Sequence, residues 1–116
     1  MAFAYDANNY VMNNACYAVW KRQQNSPEAY APEINVTLEK QGDRFILSIR
    51  DNGEGMNEDV KQRIFDSFFT TKPAGQGTGL GMAIVRDIIE NKHHGKIQFD
   101  SIPNEYTCFQ FIIPII

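Results

Sequence analysis

No apolar run in this chain approaches the roughly 20 residues that a membrane-spanning helix needs. Its opening, MAFAYDANN, lacks the basic segment and the long apolar stretch of a secretory signal. Basic residues are not in surplus. Lys and Arg number 11 against 14 Asp and Glu, a net charge of −3, so the footprint of a nucleic-acid binder is missing and nucleic acid is not an expected partner. Only two cysteines occur, Cys16 and Cys108, far apart and without metal-type spacing. One falls in an apolar helical pattern and the other in a strand-like one, which predicts buried free thiols and a reducing cytoplasm. Repeats and low-complexity segments are also absent. What remains is 116 residues, 43% of them hydrophobic and 22% charged, enough to build one core, and so a single domain over residues 1–116.

The apolar periods place the elements. Asp6 stands where it would cap a helix running to about Gln24. Val11, Ala15, Ala18 and Arg22 form one ridge of it, and Tyr10, Asn14, Tyr17 and Lys21 the next. Two prolines make NSPEAYAPE, residues 25–33, a loop. Ile34, Val36 and Leu38 alternate with polar residues, as do Phe45, Leu47 and Ile49, and QGD between them predicts an antiparallel hairpin with one face buried. DNGEGMNEDV, residues 51–60, reads as a sharp turn and a short helix capped by Asn57 and ending near Phe65.

Residues 66–78 show no period and form a long loop, a length that in compact domains usually means function or disorder. A second long helix starts at Gly79, with Leu80, Ile84 and Ile88 on one ridge and Val85 and Ile89 beside it. It ends around HHG, residues 93–95, where Gly95 suits a left-handed stop. KIQFDS and EYTCFQFIIPI, residues 96–101 and 105–115, are two further strands. This order predicts an α/β (α+β) two-layer sandwich, with a mixed, mostly antiparallel sheet and its helices gathered on one face.

PAGQGTGLGMAIVRDII, residues 73–89, sets Gly75, Gly77, Gly79 and Gly81 directly against the start of that helix. No Gly-Lys-Ser/Thr follows at phosphate-loop spacing, and Ile84 falls where the dinucleotide pattern needs its third glycine. Glycines running into a helix N-terminus still suit an anion, because unpaired N–H groups meet it there and no Cβ blocks close approach. A flexible spacer would look equally glycine-rich.

Three other stretches bear on that choice. In NNACYA, residues 13–18, Asn14 sits beside the small Ala15. Its amide oxygen can ligate Mg²⁺, an ion that keeps waters and leans on substrate phosphates; a solvated asparagine is the plainer alternative. DNGEGM, residues 51–56, puts the Asp51 carboxylate at a strand end with Gly53 and Gly55 opening the backbone beside it. It can accept from the exocyclic amine of a planar heterocycle, or form a simple turn. In RIFDSFFTTK, residues 63–72, Phe65, Phe68 and Phe69 fit a satellite core, and Lys72 fits either a solvated charge or a phosphate contact.

In this order and spacing, NNACYAV, DNGEGM, FDSFFTTK and GQGTGLGMAIV resemble the N, G1, F and G2 boxes of the GHKL ATPases, which share the Bergerat ATP-binding fold. The match is nearest to the ATP-binding catalytic domain of two-component sensor histidine kinases. The resemblance implies that Asn14 ligates Mg²⁺, and that Asp51 accepts from the adenine amino group in a pocket shaped by Gly53 and Gly55. It further implies that Phe68, Phe69 and Lys72 belong to a mobile ATP lid, with Lys72 near the phosphates. Gly77, Gly79, Leu80 and Gly81 would cradle those phosphates through backbone N–H groups, and Thr78 would fix the loop. Asn14 and Lys72 would then be the catalytic pair, ATP and Mg²⁺ the ligands. The partners implied are the kinase's own dimerisation and phosphoacceptor domain and a response-regulator receiver domain. The location implied is the cytoplasm, whether or not the parent protein is anchored in a membrane.

The chain departs from the family pattern in several places. Tyr10 stands one turn before the Asn-Ala pair, where the N box usually has a second polar residue, and a phenol is a poor Mg²⁺ ligand. His94-Gly95-Lys96 replaces a common His-Gly-Gly. The chain starts almost at the N box with no recognisable phosphoacceptor helix, and reads as an N-terminally shortened domain of a longer protein. Tyr10 favours one alternative, a degenerate nucleotide-binding or partner-docking module without kinase activity. Another is a protein serine kinase of the anti-sigma type, against which the FFTTK run counts. Gyrase-like and chaperone-like members carry an N-box glutamate that is missing here.

Overall fold

The computed structural model describes residues 2–26, 29–70, 72 and 81–115, with side chains from Asn9 onward. Helix α1 (Ala2–Asn25) is followed by the hairpin of β1 (Ile34–Gln41) and β2 (Arg44–Asp51). Then come α2 (Glu58–Arg63), α3 (Gly81–Arg86), a wider-wound π turn (Asp87–Lys92), and the hairpin of β3 (Lys96–Ile102) and β4 (Tyr106–Pro114). The sheet order is β1-β2-β4-β3. Each pairing is antiparallel, so the two-layer sandwich stands, with no parallel pair among the described residues.

Register decides which side chains meet. Ile49 lies opposite Phe109 and Leu47 opposite Phe111, while Phe99 and Ile97 of β3 face the same two phenylalanines. Strand side chains alternate between faces, so these residues share the side that the helices cover. Val11, Ala15 and Val19 recur every fourth residue and turn one stripe of α1 into the core. Val85, Ile88 and Ile89 bring in the last helix. Phe65, just past the end of α2, meets Phe99 edge-on at 5.6 Å, so for this residue the core reading holds.

Several expectations are corrected. Asp6 lies inside α1 rather than at its cap, since the residues before it contain no helix breaker. The β1–β2 hairpin turns at Gly42, φ 62, as expected, but only β2 is covered. Val36 and Leu38 face the helix side yet are 49% and 67% exposed, because β1 is an edge strand beyond the reach of the helices.

Gly95 is not the left-handed residue. His94 takes that conformation at φ 56. Gly95 is required by crowding, since a Cβ there would meet the Ile112 carbonyl oxygen at 2.6 Å. Ile84 is 37% exposed, whereas Ile88 of the same ridge is buried with Val85 and Ile89.

Neither thiol is fully buried. Cys16 is exposed on the side of α1 turned away from the core. Cys108 is half-buried on the uncovered sheet face, because Thr107 and Phe109 take the covered one. Burial still pushes the Cys108 thiol up from its usual range, with the Arg50 charge pulling the other way.

Candidate functional site

Strand β2 ends at Asp51, which is 5% exposed. One carboxylate oxygen, Oδ1, accepts from the Gly53 N–H at 2.8 Å, a short Asx turn that leaves the other oxygen without that partner. Burial pushes the carboxyl up to about 6. The Gly53 hydrogen bond opposes the rise and the neighbouring Glu54 charge adds to it.

The turn after Asp51 is held by close packing on two sides. A Cβ at Gly53 would lie 2.6 Å from the backbone carbon of Ala18 in α1. Gly55, at φ 67, would put its Cβ 2.2 Å from the Ile102 carbonyl oxygen. Both glycines are therefore required by space, and Gly55 by conformation as well. From below, the Met56 N–H donates to Ser101 Oγ at 2.8 Å. The single Ser101 hydroxyl hydrogen goes to the Tyr106 carbonyl at 2.9 Å, so Thr107 Oγ1 donates across the remaining 2.8 Å contact. Thr107 is the register partner of Asp51 and stands beside it.

Asn57 caps α2 by accepting from the Val60 N–H at 2.9 Å, as expected. Past that helix the chain returns over the site. Phe69 faces inward, with the Arg63 guanidinium 4.5 Å from its ring centroid. Phe68 has φ 67 and is 75% exposed. The Lys72 N–H donates to Thr70 Oγ1 at 3.0 Å, and the Lys72 ammonium rests 5.2 Å above the Tyr17 ring.

These elements enclose a cleft of about 510 Å³, within the range of small-molecule sites. Asn14, Asp51, Gly55, Phe69, Lys72 and Gly81 all line it. Gly53 does not line it and instead seats the turn on α1, and Phe68 also lies outside. Gly77, Thr78, Gly79 and Leu80 lie outside the described residues. Tyr10 stands at the cleft's edge, and a Cβ at Gly81 would come 3.1 Å from its ring.

Residues not anticipated from sequence also line the cleft, among them Thr107, Tyr17 and Lys21. Thr107 was legible in principle, since it alternates with Phe109 and Phe111 and so shares their covered face. Tyr17 and Lys21 sit on the ridge of Asn14, one and two turns further on.

The lining combines two chemical characters. Ile49, Met56 and Phe109 give apolar walls around one buried acceptor, Asp51, which suits a planar base with an exocyclic donor. Asn14, Lys72 and Gly81 give an amide, a cation and an open backbone, which suit an anion and its counter-ion. Among the described residues no group of three or more His, Cys, Asp or Glu side chains gathers to hold a metal. The Asn14 amide oxygen suits an ion that takes one protein oxygen and completes its shell with phosphates and water, as Mg²⁺ does.

Asp51 also sets a pH dependence. Its folded-state carboxyl keeps a proton up to about 6, whereas the unfolded one releases it near 3.8, so between these values the folded state binds more protons. Stability from this group is highest below about pH 4, falls as pH rises to about 6, and is flat above. Urea denaturation across this window should show Asp51→Asn gaining on the unaltered chain as pH rises. A constant difference would mean that the carboxyl is not held neutral by burial.

The profile of the histidine kinase-, DNA gyrase B-, and HSP90-like ATPase family matches residues 9–116. The methanogenesis regulatory histidine kinase FilI of Methanothrix harundinacea (strain 6Ac) is 40% identical over 83 residues, 72% of this chain and 9% of that protein. The sensor histidine kinase ZraS of Klebsiella oxytoca is 40% identical over 83 residues, 71% of this chain and 17% of that protein. Among solved structures, the catalytic domain of histidine kinase ThkA superposes with a TM-score of 0.76 at 31% identity, covering 97% of this chain and 67% of that one. This chain thus spans only a small part of the length of these curated relatives.

Proposed function

The chain belongs to the histidine kinase-, DNA gyrase B-, and HSP90-like ATPase family, and from that premise we propose that its cleft binds ATP with Mg²⁺ and supplies the γ-phosphate for histidine autophosphorylation in a two-component sensor kinase. The observation that carries this reading is one cleft whose lining combines a buried carboxylate among apolar side chains with an amide and an ammonium. Asp51 accepts from the adenine amino group while apolar walls exclude water from the base. Asn14 would hold the metal through its amide oxygen, and Lys72 would leave the Tyr17 ring for the phosphates. Mg²⁺, when bound, neutralises phosphate charge. Gly81 keeps the backbone open at the start of α3, and the cradle role of Gly77, Thr78, Gly79 and Leu80 rests on the family resemblance.

The chain's part in transfer is positioning and charge neutralisation. A nitrogen of the acceptor imidazole attacks the γ-phosphorus as the bond to ADP breaks. The acceptor belongs to the kinase's dimerisation domain, and a receiver domain takes the phosphoryl group onward. On this reading the domain works in the cytoplasm, where ATP is supplied. Among the described residues, no helix is long and apolar enough to cross a membrane.

One observation favours a second reading. The Tyr10 ring packs against Gly81 at the edge of the cleft, where a second polar ligand would serve the metal better, which suits a nucleotide-binding module without turnover. Incubating the chain with γ-labelled ATP, Mg²⁺ and the parent protein's phosphoacceptor domain separates the readings. Phosphate on that domain that is acid-labile and alkali-stable is the expected result. Binding without transfer supports the docking module, and alkali-labile phosphate supports a serine kinase.

A further inference from the structure

Asn52, between Asp51 and Gly53, uses every polar group it has. Its side-chain oxygen accepts from the Glu33 N–H at 2.8 Å, and its amide nitrogen donates to the Ala31 carbonyl at 2.8 Å. Its backbone N–H donates to the Glu33 carbonyl at 3.1 Å. The Tyr30 hydroxyl lies 2.8 Å from the Asn52 carbonyl oxygen and 2.9 Å from its side-chain oxygen, and donates its one hydrogen there.

Arg22, near the end of α1, closes the assembly. Its Nη1 donates to the carbonyl oxygens of Asn52 at 3.0 Å, Gly53 at 3.3 Å and Glu105 at 3.4 Å. Its guanidinium stacks 4.7 Å from the Tyr30 ring centroid. One cation thus ties the helix of Asn14, the turn after Asp51 and the β3–β4 turn together. None of Arg22, Tyr30 and Asn52 lines the cleft.

We propose that Arg22, assisted by Tyr30, is a positioning residue for base recognition, holding the Asn52–Gly53 backbone so that the Gly53 N–H fixes the Asp51 carboxylate towards an adenine amino group. The inference rests on the reading that Asp51 receives that group. A planar guanidinium facing several carbonyls is preorganised in a way an ammonium only partly reproduces. Losing it frees the turn to rotate, and the penalty falls on the hydrogen bond that depends on the direction of Asp51.

The test compares ATP with ITP, which carries a carbonyl in place of the amino group, by calorimetry on the full chain with Mg²⁺ at pH 8. The unaltered chain should prefer ATP by about tenfold or more, the scale of one hydrogen bond to a charged group. Arg22→Met should weaken ATP by about fivefold or more and change ITP by less than about twofold, narrowing the preference. Arg22→Lys should recover part of it. Tyr30→Phe, which removes one hydroxyl, should narrow the preference by about twofold to threefold and decides the matter should Arg22→Met fail to fold.

Equal weakening of both nucleotides, or an unchanged preference in the folded variants, overturns the positioning role and leaves the nucleotide reading intact. Failure of the unaltered chain to bind either nucleotide removes both.

Discussion

Gly53→Ala is expected to loosen the fold and nearly abolish nucleotide binding. The new Cβ would stand 2.6 Å from the Ala18 backbone carbon, 2.6 Å from the Ala18 Cβ and 2.8 Å from Asp51 Oδ1. Two of these neighbours belong to the helix, which cannot swing aside as a side-chain tip can. Either α1 retreats or the turn lifts. Overpacking of this kind costs about 1–3 kcal/mol, and here both possible movements strike the site. A retreat of α1 displaces Asn14, and a lift of the turn breaks the Gly53 hydrogen bond that orients Asp51. Urea denaturation should show the stability loss, and calorimetry an ATP affinity reduced by more than about tenfold, the equivalent of 1.4 kcal/mol. Unchanged values for both would mean that α1 and the turn are not seated on each other as described.

Asp51→Asn should act in the opposite sense on stability while still damaging binding. The variant keeps an acceptor for the Gly53 N–H but loses the charge that attracts the adenine amino group. An affinity loss of about 1–3 kcal/mol at pH 8 is expected, since hydrogen bonds to charged groups exceed neutral ones. The same variant should resist urea better at that pH, because burial pushes the native carboxyl up to about 6 and its ionisation there costs stability. An acceptor kept at the expense of the fold is the expected mark of a binding group. Equal ATP affinity in the two proteins would remove Asp51 from the base site.

Local pattern placed Asp51 at a strand end and Asn14 on a helix ridge, and both line the cleft. A carboxylate at the end of an alternating strand, followed by Asn-Gly, announces a turn. The pattern left a simple turn and a solvated asparagine open, however, and the two roles came from the family resemblance. What Gly53 and Gly55 do was not readable, since the obstacles are Ala18 and Ile102, far away in sequence. Arg22 and Tyr30 were missed for the same reason. Both donate to the Asn52 backbone carbonyl, a partner that leaves no mark in residue identity.

Expectations that rested on period alone met tertiary override. Alternation in β1 correctly predicted a strand, but the strand lies at an edge where Leu38 meets no covering helix. Gly95 was rightly singled out at a helix end, for the wrong cause. Crowding by Ile112 demands it, while His94 accepts the left-handed turn.

The central claim is that ATP lies between α1 and the Asp51 turn. Titrating the unaltered chain with ATP and Mg²⁺ at pH 8, followed through backbone amide resonances, tests it most directly. Saturable one-to-one binding is predicted, with the largest shifts at Gly53, Gly55, Thr107 and Gly81 and none at Leu38 on the open edge. Shifts centred on β1 or on the uncovered sheet face around Cys108, or no saturable change at all, would contradict it.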